Sequence, residues 1–278
     1  METITSVHNP KIKALLELQE KSRVRRSSGL FVVEGRREIN HCLEGGYAID
    51  SFFVCPEIFD NGAGEEDTLH RIESWLPAGE KAGIYFVNSN VYDRIAYRGG
   101  TEGIIAEVRS RSNTLASLEG HLSSCGKSSA PLVIVLESVE KPGNLGAVLR
   151  SADAAGADAV IVCDPLTDIF NPNLIRSSIG AVFTVPVIAC TSAEAIEWLK
   201  SNGFSILTAQ LQDSDLYYES DMKGATAIVM GTESTGLSDA WRQAATSHIR
   251  IPMLGRLDSL NVSVSAAILL FEAIRQRQ

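Results

Sequence analysis

The second half of this 278-residue chain contains six short apolar runs, LVIVLE, AVIVC, FTVPVIA, FSILTA, ATAIVMG and HIRIPM, with little polar alternation inside them. A strand with one wet face alternates apolar and polar residues, so unalternating runs require cover on both faces, as in a parallel sheet flanked by helices. The segments between the runs are amphipathic or open on glycine, which supplies that cover. Thr191 or Ser192 is expected to cap the helix AEAIEWLKSNG, with Gly203 near its end. The last helix, from about Asn261 to Arg275, is apolar almost all round its first turns and is therefore expected to be buried.

Strands and helices also alternate in the first half. A helix is expected over about Asn9 to Gln19, then the strand LFVVEG, a helix from Arg36 and the strand SFFVC. A helix around Thr68 to Trp75, the strands IYFVN and GIIAEVR, and a short helix at Val91 complete that half. Between Ser110 and Ala130 the Ser-, Gly- and Asn-containing stretch SRSNTLASLEGHLSSCGKSSA predicts a tether with room for one short helix. The expected class is α/β, with a smaller domain over residues 1–110, a linker over 111–130 and an open parallel sheet over 131–278. There is no internal repeat.

The five cysteines (Cys42, Cys55, Cys125, Cys163, Cys190) are far apart in sequence, lack zinc-ligand spacing and mostly sit in apolar runs. They read as reduced core residues, which points to the cytosol and to no structural metal. The start METITSVHNPKIK carries no apolar leader, and no later stretch is long and apolar enough to span a bilayer.

A formal net charge of −9 weighs against a nucleic-acid partner, because phosphates are met by Lys and Arg. Its distribution weighs the other way. Residues 1–37 carry eight basic side chains against four acidic ones, a local +4 on an otherwise acidic chain. Lys11, Lys13, Arg23, Arg25, Arg26 and Arg36 are the candidate RNA-contacting residues; a solvated helix face is the alternative reading of such a run.

Three segments place small or polar residues where an apolar run ends and a helix begins, the edge at which open α/β sheets hold ligands. In KPGNLGAVLRSADAAGA, from Lys141, a Pro142-Gly143-Asn144 turn precedes a helix carrying Arg150, and Asn144 and Arg150 are expected to converge. In IVMGTESTGLS, from Ile228, Gly231 and Gly236 bracket Thr232-Glu233-Ser234-Thr235, which allows backbone to approach a flat ligand. In IPMLGRLDSLNVSVSAAILLFEAI, from Ile251, the polar Asn261, Ser263 and Ser265 interrupt an apolar helix start. Taken singly, each reads as an ordinary turn or helix cap. A dinucleotide site at the first turn is disfavoured, because the sequence offers G-x-x-G rather than G-x-G-x-x-G.

Together, in this order, the three segments resemble the motifs of the SpoU/TrmH family of RNA ribose 2′-O-methyltransferases, of the SPOUT class. The stretch Asp164-Pro165, Asn171-Pro172 and Arg176 resembles the family as well. The resemblance implies a parallel sheet closed by a deep trefoil knot, S-adenosylmethionine as cofactor, a homodimer paired through knot-domain helices, and RNA as substrate, ribosomal rather than transfer RNA. It implies cofactor contacts, largely main-chain, at Gly231, Thr232, Glu233, Gly236, Ile251 and Leu260. It also assigns Arg150, Asn144, Glu233, Asn261 and Ser263 to the reacting site, with no metal. The first half, NPKIKALLELQEKSRVRRSSGLFVVEGRREI, is similar to the family's ribosomal-protein-like substrate-binding domain, although Arg98-Gly99-Gly100-Thr101-Glu102-Gly103-Ile104 departs from the usual P-Q-G-I-x-A. A transfer-RNA enzyme and a non-catalytic RNA-binding protein of the same fold are the alternatives.

Overall fold

The computed structural model describes all residues except 1, 61–63, 98–101, 125–129, 233–234 and 257–258. In chain order its elements are β1 (Glu2–Ile4), α1 (Pro10–Glu20), α2 (Ser22–Ser28), β2 (Leu30–Glu34), α3 (Arg36–Glu44), β3 (Ile49–Val54), α4 (Pro56–Phe59), α5 (Glu65–Glu73), β4 (Gly83–Val87), α6 (Ser89–Ile95), β5 (Ile104–Arg109) and α7 (Leu115–Ser124). They continue with β6 (Leu132–Glu137), α8 (Pro142–Ala154), β7 (Ala159–Cys163), α9 (Pro172–Ser177), α10 (Ala181–Thr184), β8 (Val187–Cys190), α11 (Ser192–Ser201), β9 (Ser205–Ala209), β10 (Asp215–Leu216), β11 (Thr226–Met230), α12 (Asp239–Ala244), β12 (Ser247–Arg250) and α13 (Val262–Arg277). Two compact units result: residues 1–111 with 168–184, and residues 112–167 with 185–278.

The first unit holds a five-stranded mixed sheet in the order β1-β4-β3-β5-β2. Ile12, Leu15 and Leu18, spaced three apart on α1, bury against Val32, Phe53 and Ile105 of the sheet. Residues 168–184 join this unit through aromatic packing and one ion pair. Phe170 stacks on Phe31 with centroids 4.2 Å apart, and Phe183 meets Tyr47 at 5.2 Å. The Arg25 Nε donates to Asp168 Oδ2 at 2.7 Å. Half of the expected strand FTVPVIA is thereby lost: Phe183 and Thr184 close α10, and only Val187–Cys190 pairs in the sheet. Apolarity alone could not distinguish a buried helical turn from a strand.

The second unit is a seven-stranded sheet in the order β10-β12-β9-β11-β6-β7-β8, every neighbouring pair parallel. The strands β6, β7 and β11 are buried at every position, as continuous apolar runs require. Residues 115–124, expected to lie within a tether, form α7, whose Leu118 and Leu122 are buried in this unit's core. The chain leaves β6 towards β7 and β8 on one side, then returns to place β11 between β6 and β9. The sheet order therefore switches direction at the β6–β11 pair, the position at which such sheets open a ligand crevice.

α11 begins with a capping box: Thr191 accepts from the Glu194 amide, and Glu194 accepts from the Thr191 amide. α13 departs from the expectation of burial. Val262, Ala266, Leu269 and Leu270 are buried, but Val264 and Phe271 are 47% and 50% exposed, so the helix has a second apolar face that its own chain leaves uncovered. Cys42, Cys55 and Cys163 are buried free thiols and Cys190 is half-buried; Cys125 lies outside the described residues. Among the described residues, no helix is long and apolar enough to cross a membrane and no cluster of metal-binding side chains is found.

Candidate active site

The C-terminal ends of β6 and β11, register partners at Leu136 and Met230, open a cleft of about 150 Å³ lined by Val139, Lys141, Asn144, Gly231, Thr232 and Val262. Two strand ends here carry non-glycine residues in left-handed backbone: Ser138 after β6 (φ 52°) and Asp164 after β7 (φ 48°). Such conformations cost about 1–3 kcal/mol and persist only where surrounding bonds impose them. Those bonds are present: the Ser138 amide donates to Cys163 O and the Asp164 amide to Cys190 O, both at 2.9 Å.

The first and third motif segments meet at this cleft. Asn261 Oδ1 caps α13, accepting from the Ser263 amide at 3.0 Å and from Ser263 Oγ at 2.6 Å. Because that oxygen accepts twice, the Asn261 amide is oriented with Nδ2 outward, and Nδ2 donates to Asn144 Oδ1 at 3.2 Å. Asn144 thus presents its own Nδ2, a donor. Neither Asn261 nor Ser263 is buried, so the expectation that these polar groups lie in an apolar interior fails; they sit at the rim.

The expected convergence of Arg150 with Asn144 is not seen. Six positions apart on α8, the two side chains leave the helix about 120° from each other. The Arg150 side chain is exposed, with no hydrogen bond or ion pair among the described residues. Glu233 lies outside the described residues.

The second motif segment forms a tight loop. The Thr232 and Gly236 main chains exchange bonds of 3.3 and 3.1 Å, Gly236 takes φ 68°, and the Thr235 amide donates to Thr232 Oγ1 at 3.0 Å. Gly231 has no room for a side chain: a Cβ there would stand 2.3 Å from the carbonyl carbon and oxygen of Gly236. After β12, Ile251 to Leu254 run without secondary structure, and the main-chain groups of Met253 and Leu254 have no hydrogen-bond partner among the described residues. Leu254 is 96% exposed and Leu260 40%. Main chain with no partner among the described residues, beside apolar side chains, suits a flat heterocycle such as adenine, so the residues fit the implied cofactor.

Sequence reading missed the network beneath this loop. Glu137, the last residue of β6, is 8% exposed; its Oε2 accepts from the Ser238 amide at 2.8 Å, just beyond the loop. Ser192 Oγ donates to Asp164 Oδ2 at 2.6 Å and accepts from the buried Trp241 indole at 3.0 Å. A glutamate ending an otherwise apolar run was the available signal, since a buried carboxylate needs donors.

The candidate RNA-contacting residues divide. Lys13, Arg23 and Arg26 are exposed. Lys11 lies 4.4 Å above the Tyr85 ring and donates to its hydroxyl. Arg36 sits 4.1 Å over Phe59 and donates to that residue's carbonyl. Arg25 is 4% exposed, bonded to Asp168 and to the carbonyls of Leu18 and Gln19, so it ties its own unit together and presents no charge to a ligand.

Comparison with known proteins agrees with this geometry. Residues 131–271 match the model of the SpoU rRNA Methylase family. The chain belongs to that family. Residues 9–106 match the MRM3-like substrate binding domain. A 23S rRNA (guanosine-2′-O-)-methyltransferase RlmB of Ralstonia nicotianae is 38% identical over 212 residues, 74% of this chain and 83% of the relative. The 23S rRNA (guanosine(2553)-2′-O)-methyltransferase RlmP of Bacillus subtilis is 28% identical over 98% of both chains. Among solved structures, the AdoMet-bound rRNA methyltransferase from Sinorhizobium meliloti superposes with a TM-score of 0.85 at 27% identity, covering 99% of this chain and 97% of that one.

Proposed function

We propose that this SpoU-family chain methylates a ribose 2′-hydroxyl of ribosomal RNA, drawing the methyl group from S-adenosylmethionine. The observation that carries the reading is the Asn261-to-Asn144 hydrogen bond, which brings the first and third motifs together at the switch point of the parallel sheet. Gly231, Thr232, Gly236, Ile251 and Leu260 would hold the cofactor mainly through main chain; the family resemblance assigns Glu233 to the same site. The cofactor supplies an electrophilic methyl on a sulfonium, and transfer disperses charge, so alignment and exclusion of water contribute most.

As the 2′-oxygen gains the methyl group it loses its proton to solvent, and the chain's own residues orient that oxygen and stabilise its developing charge. Asn144 Nδ2, fixed by Asn261 and Ser263, is a donor able to orient the 2′-oxygen. A guanidinium is a poor general base, so Arg150 acts as a clamp on an adjacent phosphate and as a stabiliser of the developing alkoxide. Residues 1–110 serve as the substrate-binding domain and 131–278 as the catalytic one. The Lys13, Arg23 and Arg26 side chains supply phosphate contacts. The guanosine named in both relatives is the expected acceptor nucleoside.

We further read the chain as a homodimer. Val264, Ile268 and Phe271 recur at helical spacing along the uncovered face of α13, which packs against α8, the helix bearing Arg150. The return of α13 from β12, beyond β9, to α8, β6 and β11 is compatible with the trefoil knot that the family resemblance implies. The test is transfer of labelled methyl to ribosomal and transfer RNA from a strain lacking the gene, followed by nucleoside analysis. One 2′-O-methylated ribosomal guanosine, lost with Arg150→Ala, is expected. Cofactor binding without transfer to any RNA would refute the reading.

A further inference from the structure

The first unit contains a second cleft, of about 450 Å³, away from the three motif segments at the strand ends of the second unit. That volume lies in the range that holds small organic groups, roughly 300–1,000 Å³. Val32 and Ile175 supply apolar wall, and Tyr97, 42% exposed, supplies an aromatic face. Three carboxylates, Glu34, Glu38 and Glu102, line the cleft with two guanidinium groups, Arg37 and Arg176.

The polar groups differ in how far they are committed. Glu38 is 8% exposed and bonds to Arg37 at 2.9 Å. Glu34 Oε2 accepts from the Tyr97 amide at 2.9 Å, which holds the tyrosine at the rim. Glu102 is exposed; its Oε2 accepts from the Arg36 amide, and no partner of its Oε1 is found among the described residues. The Arg176 side chain is exposed, with no hydrogen bond or ion pair among the described residues; its main-chain carbonyl accepts from the Ile179 amide at 3.0 Å.

Three carboxylates against two guanidinium groups make this a poor site for a free anion. A neutral ring that donates protons is better matched. Of the four RNA bases, guanine alone presents two adjacent donors, N1–H and the N2 amino group, on its Watson–Crick edge, the pattern a carboxylate accepts in pairs. Unpaired RNA bases are typically held by stacking on an exposed aromatic ring with edge hydrogen bonds. We propose that this cleft binds one unstacked guanine of the RNA, stacked on Tyr97 and read by Glu102, with Arg176 on its phosphate. The proposal rests on the RNA methyltransferase reading for its choice of RNA as ligand.

The test uses the full chain and fluorescence anisotropy with labelled uridine octamers carrying a single central guanosine, inosine or adenosine. Inosine keeps N1–H and lacks the N2 amino group. Wild type is expected to bind the guanosine octamer about tenfold more tightly than the adenosine one, with inosine between. Glu102→Gln, which keeps an acceptor for the Arg36 amide, is expected to abolish that preference without lowering the melting temperature. Tyr97→Ala is expected to weaken all three octamers alike by about tenfold, a uniform loss that a specificity role for Tyr97 would not give. Equal binding of the three octamers by wild type, preference surviving Glu102→Gln, or no binding at millimolar octamer overturns the proposal. Methyl transfer, measured separately, distinguishes the two readings. Guanine preference without transfer to any RNA refutes the enzyme and leaves the cleft; transfer without preference does the reverse.

Discussion

Substituting Gly231 by alanine tests the cofactor loop at its tightest point. The added Cβ would stand 2.3 Å from Gly236 C and O and 2.6 Å from the Leu237 amide nitrogen. Ordinary contact needs about 3.5–4.0 Å, so the loop must open by more than 1 Å. All three obstructing atoms are backbone, and no rotamer change relieves them. Opening breaks the two main-chain bonds between Thr232 and Gly236, each contributing about 0.5–1.5 kcal/mol net. Ordering the loop then costs the bound state about 1–3 kcal/mol, which is roughly five- to 150-fold in affinity. Calorimetric titration with S-adenosylmethionine is expected to show at least about a fivefold rise in Kd. Gly120→Ala is the control: a Cβ at this exposed position in α7 meets nothing within 4 Å, and alanine is favoured over glycine in a helix by about 0.5–1 kcal/mol. That variant should melt at the same or a higher temperature with unchanged Kd. Gly231→Ala binding the cofactor within twofold of wild type would refute the reasoning.

Arg25→Ala should destabilise the first unit by about 3–5 kcal/mol in urea unfolding, because Asp168 and two carbonyls lose a buried partner, whereas Arg26→Ala should leave stability alone and weaken RNA binding. Glu137→Ala should cost about 1–3 kcal/mol by orphaning the Ser238 amide and shift the emission of Trp241; Glu137→Gln, which keeps an acceptor, should largely restore cofactor affinity. Burial raises the pKa of Glu107, opposed by a hydrogen bond from Ser51. A raised folded-state pKa means that the stabilising form is the protonated one. Its contribution is present at low pH and lost as pH rises from the ordinary glutamate value through the folded one. Glu107→Gln should therefore melt higher than wild type at pH 8, with the gap closing below about pH 4.3; a gap that widens on acidification would sink this account.

The parallel sheet was legible because burial on both faces leaves a direct trace in β6, β7 and β11, whose runs carry no polar alternation. The edge strands β1 and β10 left no such trace, being three and two residues long. The cap of α11 was legible for a local reason, since Thr191 and Glu194 satisfy each other's amides without help from the rest of the chain. Arg25 was misread for the opposite reason. Its neighbours Arg23 and Arg26 are solvated, and what buries Arg25 is Asp168, 143 positions away. The motif residues fall between these cases. Asn144 and Asn261 could each be identified as a helix-start residue, but their bond spans 117 positions and depends on α13 reaching α8. Periodicity reports what a residue does within its own element; it is silent on which element a long-range fold brings opposite. The uncovered face of α13 follows the same logic. Val264, Ile268 and Phe271 look like core in the sequence because they are apolar, yet one copy of the chain leaves Val264 and Phe271 half exposed. A burial pattern that a single chain cannot satisfy is the signal a second copy would answer. Val264→Asp together with Phe271→Asp should then yield a monomer by light scattering, while a dimer persisting in that double variant would move the interface elsewhere.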